Sequence, residues 1–148
     1  MNCPLCNMPD ENLFAAGGRT YHRCCKCGLV YMDATDRLLP DEEKKRYSFH
    51  QNSISDAGYV AFLNRVIEPS MQFISKGMKG LDYGCGPNPV LAQIVGERGM
   101  QCSYYDPFFF PECKADAKYD FVFATECFEH FFSPMKEIEK ICAMLNSN

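Results

Sequence analysis

From Tyr59 onward the apolar residues recur at three- and four-residue intervals. Tyr59, Phe62, Leu63, Val66 and Ile67 fall on one face, the spacing of an amphipathic helix. Asp56 stands where such a helix needs a cap and Pro69 where it must stop. The pattern then breaks. "GLDYG" (80–84) is too short for a helix and reads as a strand entering a turn. Beyond it, Val90, Leu91, Ile94 and Val95 form a second helical stripe that ends at Gly99, with Asn88 expected as N-cap and Pro89 as first helical residue. "QCSYYD" (101–106) is a second strand ending in an acid, and "YDFVFAT" (119–125) a third, apolar enough for a strand buried on both faces. A last helix begins at Ser133 and Pro134 and aligns Ile138, Ile141, Cys142 and Leu145. This order of strands and helices predicts an α/β fold with a parallel sheet.

The N-terminal third lacks those periods. Residues 1–35 carry Cys3-x-x-Cys6 and Cys24-x-x-Cys27, separated by a stretch with Gly17 and Gly18 that suits a hairpin. Residues 36–55 form a linker whose first part, "DRLLPDEEKKRY", holds four acids and four bases and fits a solvated connector or surface helix. Residues 56–148 carry the α/β pattern.

Composition narrows the reading. The chain of 148 residues suits one main core, and its net charge of -4 argues against general affinity for nucleic acid. No long apolar run and no signal-like N-terminus is present, so no membrane association and a soluble, cytoplasmic location are expected. Ten cysteines would suggest disulfides in a secreted chain. Four of them, however, sit in the two CxxC pairs, while Cys85, Cys102, Cys113, Cys127 and Cys142 lie in apolar surroundings where a thiol packs as a small hydrophobe.

The chemistry centres on "LDYGCGPNP" (81–89). A strand ending in an acid and turning through Gly84 and Gly86 lets a ligand approach the backbone, and the helix N-terminus behind it offers N–H groups to an anion. Asp106 lies 20 residues after Gly86, where an acid can accept both hydroxyls of a ribose. A nicotinamide dinucleotide calls for G-x-G-x-x-G, but position 89 is proline, and the lysine and hydroxyl of a P-loop are missing.

Together "LDYGCGP", "YYDP" and "YDFVFATECFEHF" resemble the class I S-adenosylmethionine-dependent methyltransferases, over roughly residues 56 to 145 and in the branch with an "EH" pair after the fourth strand. The resemblance implies a Rossmann-like fold, here a partial parallel sheet flanked by helices. It also implies that Asp82 and the backbone of Gly84, Cys85 and Gly86 hold the methionine end, and Asp106 the ribose. Pro107 then lies beside the adenine, while Thr125 and Glu126 line the methionine side. Only 13 residues separate Asp106 from Asp120, so the usual helix and strand there are expected to shorten to a loop containing "PFFFP". Asp116 is a candidate for the adenine amino group. Tyr59 and residues 50–53 could cover the pocket, and His130 could act as a base where the acceptor must lose a proton.

Two cysteine knuckles 17 residues apart allow Cys3, Cys6, Cys24 and Cys27 to converge on Zn²⁺, which supplies the folding energy that so short a segment lacks. The segment resembles a zinc ribbon, with "CPLC" and "CCKCG" as knuckles; Cys25 and His22 are possible substitute ligands. Zinc ribbons accompany some ribosomal-RNA and some sugar C-methyltransferases. Arg19, Arg23 and Lys26 against Asp10 and Glu11 are too little charge to predict RNA binding, so a small-molecule acceptor is favoured.

The motifs cover the first, second and fourth strands of a seven-stranded family sheet. The chain is therefore expected to be a fragment, with an apolar strand edge open to self-association. The leading reading is a zinc-ribbon methyltransferase; the alternatives are a zinc- and cofactor-binding interaction module without catalysis, and a ribosomal-RNA methyltransferase whose zinc ribbon contacts RNA. The acceptor and the atom methylated are not legible in these residues.

Overall fold

A computed structural model describes residues 2–9, 12–49, 52–112 and 117–147. Asp116 and Cys113 lie outside the described residues, as do residues 50 and 51.

The N-terminal unit is a three-stranded antiparallel sheet of β1 (Leu13–Ala16), β2 (Arg19–Arg23) and β3 (Val30–Met32), in the order β1-β2-β3. Gly17 and Gly18 make the β1–β2 turn, so the expected hairpin gains a third strand. Two matching knuckles lie beside this sheet. Asn7 donates its N–H to the Cys3 carbonyl at 2.9 Å and Gly28 to the Cys24 carbonyl at 3.0 Å. Asn7 and Gly28 have φ of 57° and 76°, and glycine and asparagine enter that left-handed region at least cost.

After a 3₁₀ turn, residues 40–47 form helix α1 (Pro40–Tyr47). Its N-terminus is acidic through Asp41, Glu42 and Glu43 and its last turn basic through Lys44, Lys45 and Arg46, complementing the helix dipole at both ends. This part of the linker is thus a surface helix. Helix α2 (Ala57–Ser70) starts where the sequence places it, with the Asp56 side chain accepting the N–H groups of Gly58 and Tyr59 at 2.9 and 3.1 Å.

The main sheet has the order β5-β4-β6, all parallel: β4 (Lys79–Tyr83) is central, β5 (Gln101–Tyr105) on one side and β6 (Phe121–Phe123) on the other. Helix α3 (Val90–Glu97) connects β4 to β5, and α4 (Pro134–Met144) follows β6. Because side chains alternate along β4, its two faces carry separate cores. Leu63 and Ile67 of α2 pack with Val90, Leu91, Ile94 and Val95 of α3 and Phe123 of β6. Leu81 and Tyr83 face the other way, onto Tyr119 and partly buried Ile141 and Met144. Gly80 is required between them, since a Cβ there would lie 2.1 Å from the Phe121 ring.

Several expectations change. Asn88 does not cap α3: its side chain donates to the Asn52 carbonyl at 3.0 Å, and Pro89 occupies the cap position without a side-chain hydrogen bond. The third strand is shorter than 119–125, and its outer side is partly paired. Tyr119 bridges Leu145 in parallel, and Asn146 donates its N–H to the Tyr119 carbonyl at 2.8 Å. Residues 106–112 contain a bridge between Asp106 and Phe110 and no helix; residues 113–116 of the expected loop lie outside the described residues. No helix among the described residues is long and apolar enough to cross a membrane.

Candidate functional site

The chain order puts β4 at the point where connections diverge, with β5 reached on one side and β6 on the other. In open α/β sheets the crevice at the carboxyl ends of such strands is where ligands sit. The loop of residues 84–89 leaves β4 at that end.

Gly84 is held between two neighbours. Its φ is +79°, and a Cβ would lie 2.6 Å from Cys127 Cβ, so the segment after β6 packs directly on the loop. Its N–H and that of Cys85 both donate to the Tyr105 carbonyl, at 2.8 and 3.1 Å. The N–H of Gly86 donates to Asp106 Oδ2 at 3.0 Å. All three loop N–H groups are thus used within the protein. A Cβ built on Gly86 meets nothing within 4 Å, so the open space lies on that side.

One N–H of the helix N-terminus is also engaged. Asp82 is 4% exposed and its carboxyl faces the N–H of Ala92 in the first turn of α3. Burial pushes the Asp82 carboxyl up to about 7, against the opposing Ala92 N–H, and the Asp106 charge adds to the rise. Asp106 is buried as well. Its Oδ1 accepts the N–H groups of Phe108 and Phe109 at 2.8 and 3.2 Å. With three N–H bonds made, it retains capacity for a further donor, because a carboxylate has about four lone-pair positions.

The segment after β6 completes the floor. Thr125 is half-buried, and Glu126 is exposed in the left-handed region with φ 53°. Cys127 is buried and donates its thiol to the Tyr83 carbonyl at 3.4 Å. Its thiol is pushed up to about 12 by burial and then by Glu129, Asp82, Asp106 and Glu126. Of these acids Asp82 and Asp106 are buried, while Glu126 and Glu129 are exposed. Pro107 is exposed at the rim.

Two tyrosines overlie this floor. Burial and then the Asp82 carboxylate raise the Tyr59 hydroxyl above its usual range, with Cys85 and Glu126 also facing it and the Asn52 side chain hydrogen-bonded to it. Burial, Glu43, Glu129 and Asp106 do the same to Tyr47, whose ring lies 6.3 Å from that of Phe108 and 5.2 Å, edge-on, from His130. Tyr47 was not legible as a site residue, because in sequence it ends a charged connector. His130 lies between Glu43 and Glu129, with Nδ1 3.5 Å from Glu43 Oε1 and Nε2 3.9 Å from Glu129 Oε1.

Two cavities adjoin these elements. One, of about 800 Å³, is lined by Asn52, Asn88, Gln93 and Tyr104 and touches the loop only at residues 87–89. The other, of about 640 Å³, lies between the N-terminal sheet, α1 and residues 128–134. Neither is lined by Asp82, Gly84, Gly86 or Asp106.

In the N-terminal unit the sulphurs of Cys3, Cys6, Cys24 and Cys27 all lie within 4.8 Å of one another. Cys3 and Cys27 are 3.6 Å apart and Cys6 and Cys24 3.5 Å, against an edge of about 3.8 Å for a tetrahedron of sulphurs bound to zinc. The backbone N–H of Cys27 brings the Cys24 thiol down to about 7 despite burial, with that of Lys26 assisting. The donor set, spacing and N–H groups aimed at sulphur fit a closed four-thiolate zinc site. The substitutes drop out: Cys25 is exposed and outside the cluster, and His22 Nε2 is hydrogen-bonded to Asp33 Oδ2 at 2.8 Å.

The order of strands and the helices that flank them define an α/β protein with a parallel sheet. Residues 30–148 match the Methyltransferase domain family, and the chain belongs to it. The match begins inside β3, so it includes the last strand of the N-terminal sheet and α1 as well as the α/β unit. No curated protein matches the chain.

Proposed function

We propose that the chain is the cofactor-binding part of an S-adenosylmethionine-dependent methyltransferase acting on a small-molecule acceptor, with zinc holding the N-terminal ribbon. The observation that carries this is the bond from the Gly86 N–H of the glycine loop to Asp106 Oδ2 at 3.0 Å, at the carboxyl end of the parallel sheet, in a chain of the Methyltransferase domain family. Asp82 and Asp106 are both buried beside that loop, and neighbouring buried carboxylates favour a cationic ligand. The loop N–H groups and the Ala92 N–H of α3 are occupied by protein acceptors, which removes donors that a pyrophosphate would need. A ligand with an ammonium and a sulfonium suits this site; a dinucleotide or nucleoside triphosphate does not.

S-adenosylmethionine, when bound, supplies a methyl group on a positively charged sulphur. The residues of this chain bind and orient it. Asp106 offers its remaining lone pair to a ribose hydroxyl, Pro107 flanks the base, and Asp82 with the carbonyls of residues 84–86 faces the ammonium. Thr125 and Glu126 complete the methionine side. Tyr47 and Tyr59 exclude water above it, which favours an in-line displacement that depends mainly on alignment. His130 is a positioning residue in this reading, packed against Tyr47 and held by two glutamates.

Calorimetric titration of the zinc-loaded chain tests the proposal. Binding of S-adenosylmethionine and S-adenosylhomocysteine, but not NAD or ATP, is expected. Failure of both sulphur ligands to bind would overturn it.

A further inference from the structure

We infer that the cavity of about 640 Å³ between the ribbon, α1 and residues 128–134 is the acceptor site, and that it takes a small molecule with an anionic group on an aromatic or similarly apolar body. Its volume is that of a small-molecule pocket. Tyr21 and Tyr31 of the ribbon and Phe128 and Phe132 after β6 supply ring surface to its wall.

The charged groups in that wall are unevenly committed. Asp36 accepts the Thr20 N–H at 2.6 Å, and Glu43 and Glu129 both face His130. Arg19, Arg37 and Arg46 also line the cavity, and among the described residues none of the three has an ion pair with a carboxylate. Arg37 lies over the Phe132 ring at 4.9 Å, which fixes its guanidinium beside the apolar wall. Each of these acids thus has a contact within the protein, whereas the three guanidiniums have no carboxylate within ion-pair distance among the described residues. Guanidinium groups bind carboxylate or phosphate through paired hydrogen bonds, and aromatic walls take the body of the same molecule.

The cavity also lies on the correct side of the cofactor loop. Glu43, Glu129 and His130 line it, and the Tyr47 ring that touches His130 faces Phe108 and feels the Asp106 charge. Tyr47 thus links His130 in the cavity wall to Phe108, two residues after Asp106. That the anion held here is the methyl acceptor rests on the function proposed above; the anion site itself does not.

Titration of the zinc-loaded chain with anilinonaphthalene sulfonate, an anionic aromatic dye, against its uncharged analogue N-phenylnaphthylamine separates these claims. The dye is expected to bind at one saturable site. Arg37→Gln combined with Arg46→Gln should weaken it about tenfold or more, the loss expected when charge-assisted hydrogen bonds are removed. The uncharged analogue, and S-adenosylhomocysteine measured by calorimetry, should change by less than about twofold between wild type and variant. Displacement of the dye by benzoate or by phenyl phosphate then assigns a carboxylate or a phosphate as the better anion. Equal weakening of charged and uncharged dyes, no weakening, or displacement by neither competitor would overturn the inference. Dye binding without any S-adenosylhomocysteine binding would overturn the methyl-transfer reading and leave the anion site standing.

Discussion

Asp82 shows how one side chain can serve the fold and the ligand in opposite senses. It is buried under α2 and α3 with the Ala92 N–H as partner, and burial lifts its carboxyl to about 7. In the unfolded chain it titrates as an ordinary aspartate near pH ~4. Below that pH both states are protonated and nothing is lost. Between the two values the unfolded state ionises first, so stability falls as pH rises, and the full penalty is present above about 7. A rise of that size corresponds to at most about 4 kcal/mol. Asp82→Asn keeps an acceptor for Ala92 and removes the titration. Its melting temperature relative to wild type should therefore rise from about pH 5 to pH 7 and level off above that. A constant difference across that range would show that Asp82 is ionised in the fold throughout.

Among the elements, the ribbon and the α/β unit are stabilised by different means. Every residue of β1 is exposed, and the buried core of the N-terminal unit is Cys3, Cys24 and Tyr31, with Leu5, Cys6 and Leu29 partly covered. So small a core cannot offset the entropy of ordering about thirty residues. In the proposed zinc site, metal–thiolate bonds supply the difference. Chelation of zinc, or Cys24→Ser, is expected to erase the protected amides of β1 to β3 while those of β4 to β6 persist, as read by nuclear magnetic resonance exchange. Retention of the ribbon amides after metal removal would show that packing alone suffices. The α/β unit needs no such help, because α2, α3 and β6 bury a continuous apolar cluster. These helices were legible in the sequence, since stripes at helical spacing, Asp56 as cap and Ser133-Pro134 as start all act over one or two turns. Asn88 was misread for a related reason. Its capping tendency is local and weak, and a tertiary bond to Asn52 from 36 residues away outweighs it.

Taken as one molecule, the protein brings its N-terminal segments over the carboxyl end of the sheet. Tyr47 and Tyr59 come from α1 and α2, and Asn52 from between them, yet all three meet groups of the β4 and β6 loops. Ligand binding should therefore slow amide exchange in two places at once. With S-adenosylhomocysteine present, protection is expected at Tyr47–Phe49 and Asn52–Tyr59 as well as at Gly84–Gly86 and Phe108–Phe110. Protection of the glycine loop alone would show that the tyrosines take no part in closing the site.

What was readable from the chain was the helical periods of α2, α3 and α4, the glycine turn with its spaced acid, and the two cysteine knuckles. Each depends on sterics, capping or ligand spacing at fixed intervals along the chain. Three things depended on through-space geometry instead. Asp82 takes the Ala92 N–H in the first turn of α3, so that donor is closed to a ligand anion. Asp82 and Asp106, from the ends of two different strands, are buried close to one loop, and their shared burial sets the charge that a ligand there must carry. Three arginines from the ribbon and the connector share one aromatic cavity. Electrostatic and packing energies fall off with distance in space, and the fold alone decides which of these residues stand close together.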